Sequence, residues 1–423
     1  MTELLTITPE RPFNLSEGLD FYKPTMGQVA LENYPDAEVT FTMKNRSERL
    51  LSEFVSVDEL NARFEAIRDQ GFTPEEIAYY AGLTAQDGSA RFDAPYLDFL
   101  ADLRLPPVNV GINPETKDLA ISTTGPWAAV SLWETVVMSE VNEQYYANLI
   151  EARGLSMEEV WAEGDRRLDE KIARLKERPD IKFADFGTRR RFSAPWHQHV
   201  VERFATELPD NFVGTSNPYY AHKFGLKPIG TYAHEMPMVY AAIEDAKSGQ
   251  PLLGHRKMME DWFDRYGPDL SIGLTDTFGS DFFFADFSEK NARRWNGLRH
   301  DSGNPIDFGE KTIDFYIDND IDPGKKTIVF SDGLNVDKMI ILADQFNGRI
   351  NVLDGVGTDF TNDMGLPVNN FVMKATHAGE KDTVKISDDE GKHTGPIDIV
   401  KRYQTDAARV VMLAEAMKDG AYV

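Results

Sequence analysis

From about residue 181 the chain alternates short apolar runs with helical periodicity. The runs are Ile181 to Phe186, Phe212-Val213, Pro228-Ile229, Leu270 to Leu274, Leu298 with its flanks, Thr327 to Phe330 and Ile350 to Val356. Each has the length of a buried strand. Each is followed by polar residues, and apolar positions at helical spacing then come in segments such as 194–207, 217–224, 236–247, 280–295, 308–318 and 335–346. About seven βα units in series predict parallel strands covered by helices, close to the eight of a barrel.

Before residue 181 the pattern is different. Helical spacing covers 57–70, 73–81 and 95–103, a long apolar helix runs over about 128–150, and 157–177 reads as a charged surface helix. Phe41 and Met43 alternate with Thr40 and Thr42, and Val108 to Ile112 and Leu119 to Ser122 add two more short strands. After Asn370, Phe371-Val-Met-Lys and Val384-Lys-Ile read as strands ahead of a helical end.

The polar clusters that follow the apolar runs hold the chemistry. In order they are Asp185-Phe-Gly-Thr-Arg-Arg-Arg191, Gly214-Thr-Ser-Asn217, Thr231 with His234 and Glu235, Asp276-Thr277, Arg299-His-Asp-Ser-Gly303, Ser331-Asp-Gly333 and Gly355-Val-Gly-Thr358. A single Asp after a strand is ordinarily a cap or turn residue. A series of such clusters at the carboxyl ends of parallel strands is where such folds place their sites. Arg189, Arg190, Arg191 and Arg299 offer forked donors to phosphate or carboxylate. Gly355-Val-Gly-Thr358 allows close backbone approach at a helix start, which suits a phosphate. Asp276, Asp301 and Asp332 suit Mg²⁺, ribose hydroxyls or a developing positive charge. His234, in Lys227-Pro-Ile-Gly-Thr-Tyr-Ala-His-Glu-Met236, sits where a strand ends and a helix begins. By itself that placement fits a packed histidine as well as a reactive one.

Composition narrows the classes. The 423 residues, 41% hydrophobic and 11% aromatic, are ample for a core. The absence of cysteine excludes disulfides, thiolate metal sites and a thiol nucleophile. A net charge of −25 argues against general nucleic-acid binding and requires any anion site to be locally basic. Met1 to Ile7 lacks the features of a signal peptide, and Glu134 and Glu140 interrupt the apolar run around Val130, so a soluble cytoplasmic protein is expected. Together these residues suggest an enzyme acting on an anionic phosphosugar or nucleotide, with the reaction left open.

The motifs as a set resemble those of the nicotinate phosphoribosyltransferase family, in its bacterial-type form among the type II phosphoribosyltransferases. They are Asp-Phe-Gly-Thr-Arg-Arg-Arg-Phe-Ser (185–193), Gly-Thr-Ser-Asn (214–217), Gly-Thr-Tyr-Ala-His-Glu (230–235), Leu-Arg-His-Asp-Ser-Gly-Asn-Pro (298–305), Phe-Ser-Asp-Gly (330–333) and Gly-Val-Gly-Thr (355–358). Asp20-Phe-Tyr-Lys and Gly125-Pro-Trp match as well. The resemblance implies an α/β fold, an irregular TIM-like barrel over 136–365 plus an α/β sandwich domain formed by both chain ends, 1–135 with 366–423. It implies synthesis of nicotinate mononucleotide and pyrophosphate from nicotinate and 5-phosphoribosyl-1-pyrophosphate, for NAD biosynthesis. It further implies ATP as co-substrate, coupling through a phosphohistidine, Mg²⁺ brought with the substrate phosphates, and homodimers that share active sites.

Residue by residue, His234 resembles the phosphorylated histidine, with Glu235 to orient it. Phe186 and Tyr22, the latter from a partner subunit, resemble the aromatic sandwich around nicotinate. Arg299, with Thr231 near it, would hold the nicotinate carboxylate. Arg189 would meet phosphate or pyrophosphate, Asp332 the ribose hydroxyls, and Gly357 and Thr358 the 5′-phosphate. Asp301 would face the reacting ribose carbon, with Asp276 assisting Mg²⁺ or ribose. Ser216 stands where the nicotinamide-specific relative carries an acidic residue, which favours the acid substrate.

Overall fold

The computed structural model describes residues 13–418. The signal-peptide reading of the first residues lies outside them. The chain divides into two compact units. The first comprises residues up to 230 with 333–337 and 355–374, and the second 231–332, 338–354 and 375 onward.

In the first unit, β1 (Glu38–Asn45), β2 (Val108–Ile112) and β3 (Leu119–Pro126) form antiparallel ladders, with β3 bonded to both β1 and β2. Along β1 and β3 buried and accessible residues alternate, so Val39, Phe41 and Met43 share the inner face with Leu119 and Ile121. The helix Trp133–Ala152 buries nearly all of its first three turns, Glu134 and Glu140 included, so it is apolar on more than one face. The helix Met157–Lys176 carries a capping box, Ser156 with Glu159. It buries Val160, Gly164, Leu168, Ile172 and Leu175, a single stripe at four- and three-residue spacing. Gly164 is required there by close packing, since a Cβ would lie 2.7 Å from Trp196 and Met364 side-chain atoms.

The βα series begins in the same unit. β4 (Phe183–Asp185) pairs in parallel with β5 (Phe212–Thr215). The third apolar run, Pro228-Ile229, is reduced to one parallel bridge between Thr215 and Pro228. Proline has no N–H to extend a ladder there. The helices Ala194–Glu207 and Pro218–Phe224 follow, each with proline in its first turn and a side-chain cap, Ser193 and Asn217.

The second unit carries β6 (Ile272–Leu274), β7 (Gly297–His300), β8 (Thr327–Phe330) and most of β9 (Asn351–Val356), in consecutive parallel register. The helices Pro305–Asp318 and Val336–Phe346 connect them as the periodicity predicts. The 280–295 pattern is two helices, Ser280–Asp286 and Glu289–Arg294, separated at Ser288, which caps the second. The helix Leu253–Tyr266 was not distinguished in the sequence. Here β10 (Phe371–Ala378) turns back on β11 (Lys381–Asp382), while Val384 to Ile386 forms only a bridge between Lys385 and Thr394. The terminal helix Ile397–Lys418 packs Val400, Tyr403 and Ala407 against Phe278, Phe282 and Ala241. Burying a valine or phenylalanine side chain such as Val400, Phe278 or Phe282 stabilises by about 1.5–3 kcal/mol. The architecture is the expected α/β fold in two units, and among the described residues no helix is long and apolar enough to cross a membrane.

Candidate active site

Strand ends of the second unit bring His234, Asp276, Arg299 and Asp301 together. β6 ends at Leu274 and releases Asp276 and Thr277. β7 supplies Arg299, and the turn after it supplies Asp301 and Ser302. His234 stands immediately before the helix Glu235–Ser248. Its Nδ1 lies 3.0 Å from Thr277 Oγ1, and its Nε2 lies 2.9 Å from Asp301 Oδ2 and 3.5 Å from Asp276 Oδ1. The ammonium of Lys385, which the sequence did not single out as functional, is 3.0 Å from the same Nε2 and 2.7 Å from Asp276 Oδ2. Its only sequence signal was an unpaired lysine inside a strand-like run.

Asp301 is held from the other side. Arg299 Nη2 donates to Asp301 Oδ1 at 3.0 Å, Arg299 Nε donates to Ser331 Oγ at 2.8 Å, and Ser331 Oγ donates to Asp301 Oδ1 at 2.7 Å. Ser302 Oγ donates to Asp276 Oδ2 at 2.6 Å.

These contacts set the charges. Burial lowers the His234 pKa to about 4; the Lys385 ammonium pushes the same way, and the Asp276 and Asp301 carboxylates only partly oppose it. His234 is therefore a neutral imidazole at physiological pH. Burial alone would raise the Asp301 carboxyl, but Arg299, His234 and Lys385 hold it well below the usual carboxylate range. The same competition leaves Asp276 ionised: burial is overcome by His234 and Lys385. Two carboxylates thus face two fixed cations, Arg299 and Lys385, around an uncharged ring.

Thr231 lies half-buried in the loop ahead of His234, and Glu235 is buried as the first residue of the helix. Asp332, half-buried after β8, has the Lys392 ammonium 3.6 Å away.

The first unit brings a second group together. Phe186 follows β4, where its N–H bonds to Val356 O at 2.8 Å. Asp185 behind it is fully buried and fixes the turn. Its carboxylate accepts from the Gly187 N–H (2.8 Å), Thr215 Oγ1 (2.6 Å) and His197 Nε2 (2.7 Å). Asp185 is therefore a turn residue, and burial, which disfavours its charge, is outweighed by His197 and the hydrogen bonds. Gly355 allows the Phe186 ring to approach, since a Cβ there would lie 2.5 Å from it. Gly357 precedes the short helix Thr358–Thr361, whose Thr361 Oγ1 donates to Gly187 O at 3.0 Å.

Ser216 Oγ donates to Asp20 Oδ1 at 2.6 Å, and the Phe21 N–H bonds to Ser216 O, so Asp20 to Tyr22 lies against Ser216 within one chain. Tyr22 is buried there. Asp20 is thus the hydrogen-bond partner that fixes the Ser216 hydroxyl. Burial raises the Asp20 pKa, and Arg189, 3.6 Å away, opposes that. Arg189 also lies 3.5 Å from Glu134, whose carboxyl is paired with the buried Lys23 at 2.6 Å. Arg191 is not an anion ligand: it is fully buried, with Nε on Glu143 at 2.7 Å and Nη1 on Glu17 O at 2.6 Å.

Comparison with known proteins agrees with these motifs. Residues 181–405 match the model of the nicotinate phosphoribosyltransferase (NAPRTase) family, and 19–142 match the N-terminal domain of the same family. The nicotinate phosphoribosyltransferase of Chromobacterium violaceum is 39% identical over 386 residues, 88% of this chain and 91% of that protein. That of Burkholderia mallei is 36% identical over 381 residues, 88% and 91% of the two chains. Among solved structures, nicotinate phosphoribosyltransferase from Porphyromonas gingivalis superposes with a TM-score of 0.79 at 30% identity, over 94% of this chain and all of that one. The Vibrio cholerae enzyme gives 0.79 at 30% identity over 99% and 100%. On the motifs, the fold and these likenesses, the chain belongs to the nicotinate phosphoribosyltransferase family.

Proposed function

We propose that this protein forms nicotinate mononucleotide and pyrophosphate from nicotinate and 5-phosphoribosyl-1-pyrophosphate, and couples ATP hydrolysis to that reaction through a phosphohistidine at His234. Its place is the salvage (Preiss-Handler) route to NAD, in the cytoplasm. The observation that carries the reading is the environment of His234, an imidazole kept neutral while flanked by Asp276, Asp301 and Lys385. A neutral imidazole has the lone pair that a phosphoryl acceptor needs. Thr277 Oγ1 hydrogen-bonds Nδ1 and orients the ring, with Asp301 beside Nε2 and Glu235 at the helix start.

Arg299 binds the nicotinate carboxylate, with Thr231 beside it, and Phe186 and, from a partner subunit, Tyr22 stack on the pyridine. Asp301 faces the ribose carbon, where positive charge grows as pyrophosphate leaves. Its ionised carboxylate suits that task. Asp332 takes the ribose hydroxyls, Gly357 and Thr358 the 5′-phosphate, and Arg189 a phosphate or pyrophosphate. The protein works as a homodimer, as its shared-site family resemblance implies.

His234, Asp276 and Asp301 have the spacing of a metal site, with ligand atoms within 4.8 Å of one another. Lys385, however, already places a cation 2.7 Å from Asp276 and 3.0 Å from His234. With that cation in place, Mg²⁺ would be brought by the phosphates of ATP and phosphoribosyl pyrophosphate, whose charge it would neutralise.

The test is product formation with nicotinate, nicotinamide or quinolinate, each with and without ATP. Nicotinate mononucleotide formed faster with ATP is expected. No product from nicotinate under either condition would falsify the reading.

A further inference from the structure

Lys385 comes from a C-terminal segment that does not continue a strand. It is pinned from several sides. Lys385 and Thr394 exchange backbone hydrogen bonds of 3.1 and 2.9 Å. The Ile386 N–H donates to Thr277 O at 2.7 Å and the Ser387 N–H to Asp276 O at 3.2 Å. Ser387 has φ +68°, a strained value for a residue with a Cβ. Asp388 holds that turn by accepting from Ser280 N–H at 2.8 Å and Ser280 Oγ at 2.5 Å, while its own N–H donates to Ser302 Oγ at 3.1 Å. This segment is thus fastened along the loops that carry Asp276, Thr277 and Ser302, and it drives a lysine side chain, 8% exposed, into the His234 cluster.

A buried lysine next to Asp276 has an ordinary explanation, charge pairing. That explanation does not account for its second neighbour. Lysine only donates hydrogen bonds, so Nζ at 3.0 Å from His234 Nε2 requires a lone pair on that nitrogen. Asp301 Oδ2, 2.9 Å from the same atom, only accepts and requires a proton on it. Thr277 Oγ1 at Nδ1 serves either tautomer, because a hydroxyl both donates and accepts. Lys385 therefore favours the form in which Nε2 is nucleophilic. A phosphoryl group adds about −1.5 to −2 beside two carboxylates that repel it, so its arrival at Nε2 requires a cation within reach. The cation nearest Nε2 is Lys385.

We propose that Lys385 is a catalytic residue of phosphoryl transfer to His234, the cation that receives the charge of the arriving phosphoryl group. This rests on the phosphohistidine reading. In the step, the Nε2 lone pair bonds to the γ-phosphorus of ATP, and the bond from that phosphorus to the bridging oxygen breaks. Its electron pair leaves with ADP. Lys385 turns an N–H from Nε2 to a non-bridging oxygen of the transferred group, and the ring retains its Nδ1 proton against Thr277 Oγ1.

The experiment uses full-length wild type, Lys385→Met and Lys385→Arg, with γ-labelled ATP and Mg²⁺. It follows acid-labile, base-stable protein phosphate in single turnover, with thermal melts to verify folding. Wild type is expected to label. Lys385→Met should label about 100-fold more slowly, the loss typical of removing one electrostatic contact to a transition state. Lys385→Arg should recover at least about tenfold of that loss, because it restores charge. Labelling of Lys385→Met within about threefold of wild type, or Lys385→Arg as slow as Lys385→Met, overturns the proposal. Lys385→Gln, which keeps a donor for Asp276, replaces the methionine variant if that one fails to fold, with the same expectation. Wild type that never labels overturns the phosphohistidine reading itself, and this proposal with it.

Discussion

Arg299 donates to one oxygen of Asp301 at 3.0 Å, while the other oxygen of that carboxylate lies 2.9 Å from His234 Nε2. The residue assigned to the nicotinate carboxylate and the residue assigned to phosphate are thus joined through a single carboxylate. A change at Arg299 is felt at His234, and several outcomes can be measured on that basis.

Arg299→Ala removes a guanidinium that a carboxylate substrate would engage. Preference for nicotinate over nicotinamide, measured as the ratio of kcat/KM values, should fall at least about tenfold, equal to about 1.4 kcal/mol. An unchanged ratio would show that Arg299 does not hold the carboxylate.

His234→Ala should abolish acid-labile phosphate and the stimulation by ATP, while slow, weakly binding phosphoribosyl transfer persists. Parallel assays with and without ATP check this, and ATP stimulation that survives in the variant refutes the assignment.

The pKa of His234, lowered to about 4, makes a pH prediction. The unfolded chain titrates this group near about 6.5, so between that value and about 4 the unfolded state binds more protons than the folded one. Stability contributed here is present above about pH 6.5 and is lost as pH falls towards 4. Denaturant melts of His234→Asn should have a shallower loss of stability in that window, by up to about one proton. Equal slopes for variant and wild type would mean that the ring is not held neutral.

Asp354, on β9, works in the opposite direction. It is 1% exposed, Oδ1 has no hydrogen-bond partner, and burial raises its pKa to about 8. Between about pH 4 and 8 the folded state retains a proton that the unfolded chain has lost, so stability declines as pH rises through 8. Asp354→Asn should raise the Tm most at pH 8 and above, and hardly at pH 4. A uniform shift at all pH values would point to packing instead.

His197→Phe leaves the buried Asp185 carboxylate without its partner. Losing a hydrogen bond to a buried charge costs about 1.5–3 kcal/mol. Because Asp185 fixes the turn before Phe186, the KM for nicotinate should also rise. Chemical denaturation and steady-state kinetics test the two effects separately.

Much of this was legible in the sequence. The alternation after residue 181 located the parallel strands and most helices, because buried strands and amphipathic helices impose their periods locally. The post-strand clusters identified His234, Asp276, Arg299 and Asp301, which the fold brings together. What periodicity could not supply was pairing between distant segments. Pro228-Ile229 is apolar and of strand length only in isolation; its proline cannot extend a ladder. Arg191 looks like Arg189 in the sequence, yet one is buried on Glu143 and the other lies half-accessible near Asp20 and Glu134. That Ser216 bonds Asp20, 196 residues away in sequence, was likewise not readable from either motif alone.

For His234 the division is the same. The sequence by itself determined that a histidine stands between a strand end and a helix start, among clusters that bear anion ligands. Only the tertiary structure decided its charge and its reactive face. Those depend on burial, on Thr277 and Asp301 from loops more than 40 residues onward, and on Lys385, 151 residues away. Electrostatic interaction falls with distance in space, not along the chain, and no local pattern records it.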